Sequence, residues 1–341
     1  MTMTTIMVGI QGSVLVFKSS NSYKVHEALK GTNPQRIVFD PLKPDHAYCA
    51  TFGDGLWKTD DGGYNWNNIG KGVITSPYVM SVAVSPPDSW KRLYRVYAGT
   101  EPSALYVSND EGKSWEKMEA LNKLPSSASW SFPPRPWTHH VRWIESDPNN
   151  PDHIFVAIEA GALVQSRDGG RTWIDRVEQG PYDTHTLATH PKASKRLYSS
   201  AGDGYFESFD YGDSWSRSME GLKYGYLYGL AVDSGDPQNV IVSVSTGPVS
   251  AYSVEYAESY VYRRGKDGQK WSAISNGLPG PSGTTITILA ANQKTKGEFY
   301  AANNRGLFIS TDSGVSWRKL DTQSQNKYSL QPAWALAVSE K

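Results

Sequence analysis

Ser166-Arg167-Asp168-Gly169-Gly170-Arg171-Thr172-Trp173 is the stretch that decides the fold, because the chain repeats it. Thr59-Asp60-Asp61-Gly62-Gly63-Tyr64-Asn65-Trp66 and Ser108-Asn109-Asp110-Glu111-Gly112-Lys113-Ser114-Trp115 precede it. Ser208-Phe209-Asp210-Tyr211-Gly212-Asp213-Ser214-Trp215 and Ser310-Thr311-Asp312-Ser313-Gly314-Val315-Ser316-Trp317 follow. All five read S/T-x-D-x-G-x-S/T/N-W. A sixth copy, Arg264-Gly265-Lys266-Asp267-Gly268-Gln269-Lys270-Trp271, has its Asp one place late. In each copy the carboxylate is placed to accept hydrogen bonds from backbone N–H groups of the turn it begins. The glycine permits a positive φ, and the tryptophan returns to cover the apolar face of its hairpin. The motif therefore predicts a structural turn rather than a row of catalytic aspartates.

The six tryptophans recur at intervals of 42 to 58 residues, about one four-stranded propeller blade each. Each box follows a short apolar strand, such as Ala104-Leu105-Tyr106-Val107, and each blade opens with an apolar run. Those runs are 36–39, 80–84, 142–145, 186–188, 229–232 and 287–290. A seventh, Ala333-Trp334-Ala335-Leu336-Ala337-Val338, has no strand after it. The N-terminus supplies three strands (6–10, 14–17 and 23–26) that lack an inner partner. Joining these halves removes two open sheet edges. The sequence thus predicts an all-β, seven-bladed β-propeller in one domain over 1–341. Its first blade is shared between residues 6–30 and 332–339.

Composition agrees with many short strands and tight turns: 12 Trp, 20 Tyr, 31 Gly and 20 Pro. The 34 basic and 34 acidic side chains cancel, so a field that attracts nucleic acid or an anionic membrane is not expected. Cys49 has no partner for an internal disulfide, and its apolar surroundings predict a buried, inert thiol. The first ten residues lack a basic n-region, and no apolar run nears the roughly 20 residues of a membrane span. A cytoplasmic protein is expected.

Boxes at this spacing resemble the BNR/Asp-box superfamily over nearly the whole chain. That group includes sialidases, two-propeller xyloglucanases, sortilin-type receptors and seven-bladed photosystem II assembly factors. It also holds bacterial proteins described as BNR-repeat glycosyl hydrolases or sialidase-like. The resemblance implies the fold and leaves the activity open. A sialidase site implies an arginine triad and an Arg-Ile-Pro signature, where this chain offers only Arg36-Ile37-Val38. A xyloglucanase site implies acids on two facing propellers, and one propeller is expected here.

Aligning the inner strands by their apolar cores gives one register of Gln35, Met80, Arg142, His185, Tyr228, Thr287 and Trp334. Two residues earlier stand Asn33, Tyr78, His140, Asp183, Tyr226, Thr285 and Pro332. At the same rim, turns between second and third strands bring Glu101, Glu159 and Asp203. A long insertion before blade four carries Trp130, Phe132, Arg135 and Trp137, aromatics suited to roofing a pocket. A second, around Val254 to Glu258 in blade six, offers another wall.

Three chemistries are open to these residues. Carboxylates among Glu101, Glu159 and Asp203 suit glycoside hydrolysis. His140 and His185, with Arg142 steadying an anion, suit acid–base work. His140, Asp183 and His185 as metal ligands lack any supporting spacing, so neither metal nor cofactor is expected. Arg142, Asp183, Tyr226, Tyr228, Trp137, Arg135, Trp334 and Glu101 are the expected ligand contacts. Each also has a structural reading: His140 bonding neighbouring loops, Arg142 clamping a rim acid, the aromatics packing. The expectation is a small polar or carbohydrate-like ligand at the central mouth, bound by a glycosyl hydrolase-like or lyase-like protein. The alternative is a non-catalytic scaffold whose rim grips a protein partner.

Overall fold

The computed structural model describes residues 3–87, 94–265, 270–322 and 331–341. Seven small antiparallel sheets form its seven blades. Blade two runs outward from Pro34–Phe39 through Ala47–Thr51 and Gly55–Thr59 to Asn67–Ile69. Blades three, five, six and seven repeat this order, with inner strands Val79–Val84, Thr184–Thr189, Tyr226–Asp233 and Ile288–Ala291. Blade four opens on Val141–Asp147 and has three strands, with the single bridge Gln165 to Ile174 in place of a fourth. Each inner strand touches the next around the whole ring, and Ile288–Ala291 touches Ala333–Glu340. Among the described residues, no helix is long and apolar enough to cross a membrane.

Closure follows the expected pairing. Ala333–Glu340 lies antiparallel to Thr4–Ile10, with Val8 opposite Leu336 and Ile6 opposite Val338. Gly12–Lys18 and Val25–Thr32 complete that blade. Gly9 is where the joined blade meets blade two. A Cβ there would lie 2.9 Å from Pro34 Cβ and 3.1 Å from Ala335 Cβ. The apolar clusters sit between blades, as in the seam of Met7, Val14 and Val16 against Ile37, Ala47 and Cys49. Cys49 is buried, and that burial pushes its thiol pKa up.

The five complete boxes form one hydrogen-bonded turn. The first hydroxyl donates to the Asp carboxylate, as Ser108 Oγ does to Asp110 Oδ1 at 2.8 Å, and accepts from the glycine amide, Gly112 N at 2.8 Å. The other carboxylate oxygen takes the Ser114 hydroxyl at 2.6 Å. The tryptophan ring donates to the glycine carbonyl at 3.0–3.2 Å in all five. Two successive residues are left-handed, for instance Glu111 (φ 63°) and Gly112 (φ 88°), where the sequence pointed to glycine alone. The turn hydrogen bonds offset the steric cost at the non-glycine position, about 1–2 kcal/mol. The tryptophans also differ from expectation. They enter the seam with the preceding blade: Trp66 packs on the cluster holding Met7 and Val16, and Trp115 on that holding Tyr48 and Leu56. Of the sixth copy, Lys266 to Gln269 lie outside the described residues. Its Trp271 crosses to blade five, donating to Ser218 O at 3.1 Å and packing edge-on against Tyr205.

Six of the seven inner strands carry a β-bulge near their start. Pairing skips Gln35, Met80, Arg142, His185 and Trp334 singly, and Tyr228 with Gly229 against Ser243. A bulge leaves its extra residue unpaired and re-aims the side chain. The bulged residues are the register found by aligning apolar cores. In blade seven the regular strand starts at Ile288, just after the equivalent Thr287.

Three outcomes follow. Asp110→Ala is expected to lower stability by about 1–2 kcal/mol, as for a lost capping side chain, measured by urea unfolding. Hydrogen bonds from Thr172 and Ser166 hold the Asp168 carboxyl at about 2, and similar bonds hold Asp61 and Asp110 at about 2 against the opposing effect of partial burial. Their contribution is present in full above the ordinary value of 3.8 and lost as pH falls toward 2. A steep fall in melting temperature across that window is expected, flattened in the multiple Asp→Asn variant. Third, Gly9→Val is expected to cost about 1–3 kcal/mol through overpacking at the closure.

Candidate functional site

The bulges of blades four, five and six aim Arg142, His185 and Tyr228 toward the axis, and the turn after the second strand of blade four adds Glu159. These groups meet. His140 Nε2 lies 2.7 Å from Glu159 Oε2, and Arg142 Nε lies 3.4 Å from the same oxygen. His185 Nε2 lies 3.6 Å from Glu159 Oε1 and 3.7 Å from Asp183 Oδ2. Arg142 also donates to the Tyr228 hydroxyl and lies over that ring, 5.0 Å from its centroid. His140, Arg142 and His185 are all buried.

A carboxylate here is tolerable only because it is surrounded by donors and cations. Burial alone would raise the Glu159 pKa. The His140 ring, with His185 and Arg142, brings it down to about 2. Asp183 goes the other way: burial and the facing Glu159 charge raise it, although His185 acts against them. Its Oδ1 accepts the Ala160 amide at 2.9 Å. His185 Nδ1 lies 2.5 Å from Leu227 O and must be the donor, which fixes the ring.

The remaining expected residues fall into three groups. Tyr226 belongs to the cluster: its ring lies 5.1 Å from that of His185, and its hydroxyl meets Tyr252 at 2.9 Å. Trp334 stacks on Tyr252 at 5.3 Å. Glu101 and Arg135 sit on the blade-three side as a bidentate pair at 2.9 and 2.6 Å, and His140 Nδ1 faces Glu101 at 3.5 Å without a hydrogen bond. Arg135 lies against the Phe52 and Phe132 rings.

Two residues stand apart. Asp203 is exposed and accepts the Tyr182 and Asp183 amides, each at 3.4 Å, whereas Glu101 and Glu159 both face the His140 ring. Trp137 is 81% exposed, whereas Trp130 of the same loop is buried and Phe132 lies edge-on to the His140 ring. The sequence reading missed Tyr252, which ends the short helix Pro248–Tyr252 just before the segment expected to form a wall. Gly247-Pro248 was the available signal, since proline favours a helix's first turn. Beneath the cluster lies a cavity of about 40 Å³ lined by Gln35, Arg36, Arg142, Tyr228 and Trp334, large enough for ordered water.

No family model matches the chain. A xyloglucanase of Paenibacillus sp. is 24% identical over 243 residues, which is 58% of this chain and 23% of that protein. Among solved structures, a Niastella koreensis GH74 enzyme superposes with a TM-score of 0.68 at 15% identity, covering 92% of this chain and 53% of that one. A YCF48 structure bound to a D1 peptide gives a TM-score of 0.61 at 17% identity, covering 90% and 93%. The chain spans less than a third of the length of the curated xyloglucanases first matched. These likenesses agree with the seven-bladed ring and place xyloglucanases and YCF48 proteins among its neighbours.

Glu159→Gln keeps the size of the side chain but leaves Arg142 and His140 buried beside a neutral amide. A loss of about 3 kcal/mol or more is expected in chemical denaturation, against less than 1 kcal/mol for exposed Asp203→Asn.

Proposed function

We propose that the protein binds a small polar or carbohydrate-like molecule at the mouth above Glu159, in contact with Asp183, His185 and Tyr226. One observation carries this reading: the chemistry of the bulged positions is unequal. Blades four, five, six and one contribute Arg142, His185, Tyr228 and Trp334, whereas two, three and seven contribute Gln35, Met80 and Thr287. Closing a ring of blades does not require charge at those positions, and burying ion pairs is costly. Donors, acceptors and rings gathered in one sector suit a hydroxyl-rich ligand. The likeness to xyloglucanases supports testing oligosaccharides cut from xyloglucan first. The reading includes a cytoplasmic protein whose ring spans 1–341.

A scaffold role is the second reading. Two observations favour it: Glu159, Arg142, Glu101 and Arg135 already satisfy one another, and the rim exposes Trp137 and Tyr78. The likeness to a YCF48 bound to a D1 peptide points the same way. Hydrolysis is the less favoured chemistry, because Glu159 is held by His140 and Arg142 and Glu101 by Arg135.

Saturation-transfer NMR with xyloglucan oligosaccharides separates these readings. Binding by the wild type, weakened at least tenfold in Tyr226→Ala and unchanged in Trp137→Ala, is the expected result. No transfer from any oligosaccharide, or loss on Trp137→Ala alone, contradicts the ligand reading.

A further inference from the structure

Glu159, Asp183 and His185 share a feature that ion pairing alone does not require. Each uses one polar atom to anchor itself and turns the other toward a common point. His185 Nδ1 donates to Leu227 O, leaving Nε2. Glu159 Oε2 is held by His140 and Arg142, leaving Oε1. Asp183 Oδ1 accepts the Ala160 amide, leaving Oδ2. One ligand atom from each residue lies within 4.8 Å of the others, and His185 Nε2 stands 3.6 Å from Glu159 Oε1 and 3.7 Å from Asp183 Oδ2. Those separations exceed a hydrogen bond.

An ion bound at about 2.1 Å from each ligand needs ligand atoms roughly 3.0–3.5 Å apart, within reach of small side-chain rotations. A ring N–H donated to a backbone carbonyl is the usual support of a metal-bound histidine. Gly202 keeps the place open: a Cβ there would lie 2.0 Å from Asp183 Oδ2 and 3.3 Å from His185 Cε1. The second, independent observation is His185 itself. Its side chain is 1% exposed, and its Nε2 is aimed between two carboxylates without a hydrogen bond to either.

We propose that Glu159 Oε1, Asp183 Oδ2 and His185 Nε2 form a binding site for a divalent first-row transition-metal ion, open toward the mouth. One nitrogen and two carboxylate oxygens suit Zn²⁺ or Mn²⁺ better than Ca²⁺, which takes six to eight oxygens. Two carboxylates facing each other supply the charge the ion needs, and Arg142 and His140 stay on the far oxygen of Glu159. The sequence suggested His140 in place of Glu159. In the structure His140 Nε2 is taken by Glu159, so His140 is a support rather than a ligand. The proposal does not depend on carbohydrate binding, since the ion is titrated alone.

The test is calorimetric titration of the chelator-treated full chain with Zn²⁺ and Mn²⁺, paired with long-range ¹H–¹⁵N spectra of the imidazoles. One equivalent is expected to bind, and the His185 Nε2 resonance is expected to move more than that of any other of the seven histidines. Asp183→Asn and His185→Ala are expected to lower affinity at least 100-fold. The wild-type imidazole spectrum decides the matter if either variant misfolds. No binding at millimolar ion, or binding that leaves His185 unmoved or survives both substitutions, overturns the proposal.

Discussion

A half-buried carboxylate near the axis of a β ring has to be matched, and the matching of Glu159 governs the arrangement of the mouth. Its partners come from different blades: His140 and Arg142 lead into blade four, and His185 lies in blade five. Arg142 passes the connection to blade six through Tyr228, and Tyr228 and Trp334 both meet Tyr252. Half the ring is thereby tied together at its centre, by polar contacts around Glu159 and by ring contacts at Tyr252. The seams farther out are mainly apolar, with a buried Arg196–Glu207–Arg264 cluster between blades five and six. Removing one member of such a cluster leaves the others buried without compensation.

Bulged inner strands allow this crowding. In a regular ladder a side chain at that level is fixed by the strict alternation of faces. One extra residue per strand releases it toward the axis. Because the bulge recurs at one height in six blades, the released side chains form a layer. Chemistry then varies by substitution within that layer, while the box turns on the opposite face keep the blades alike. The bulged layer and the box turns thus lie at opposite ends of the ring, and the box aspartates are engaged in their own turns.

The ring and its closure were legible because both rest on local, repeated chemistry: a box every 42 to 58 residues and two half-blades that lack each other. The bulged layer was legible only indirectly. Aligning apolar cores found its members, since the bulge falls at the same offset in each strand, but nothing in the residue types announced a bulge. Pairing was legible only as the expectation that Arg142 clamps a rim acid, which Glu159 meets. Glu101 with Arg135, 34 residues apart, and Arg142 with Tyr228, 86 apart, are facts of the closed ring. The exposure of Trp137 was not legible for a related reason. The 132–138 turn bonds to itself through Phe132 N to Thr138 O and Thr138 N to Arg135 O, which leaves the tryptophan outside.

The most direct test of this account is a carboxyl ¹³C NMR titration of Glu159 and Asp183 in the intact, metal-free protein. The account requires Glu159 to stay ionised down to about pH 2, with Asp183 taking its proton above the ordinary aspartate value of 3.8. Two independent titrations at the ordinary values of 4.5 and 3.8 would mean that water, rather than His140, His185 and Arg142, surrounds Glu159, and the buried cluster would be contradicted.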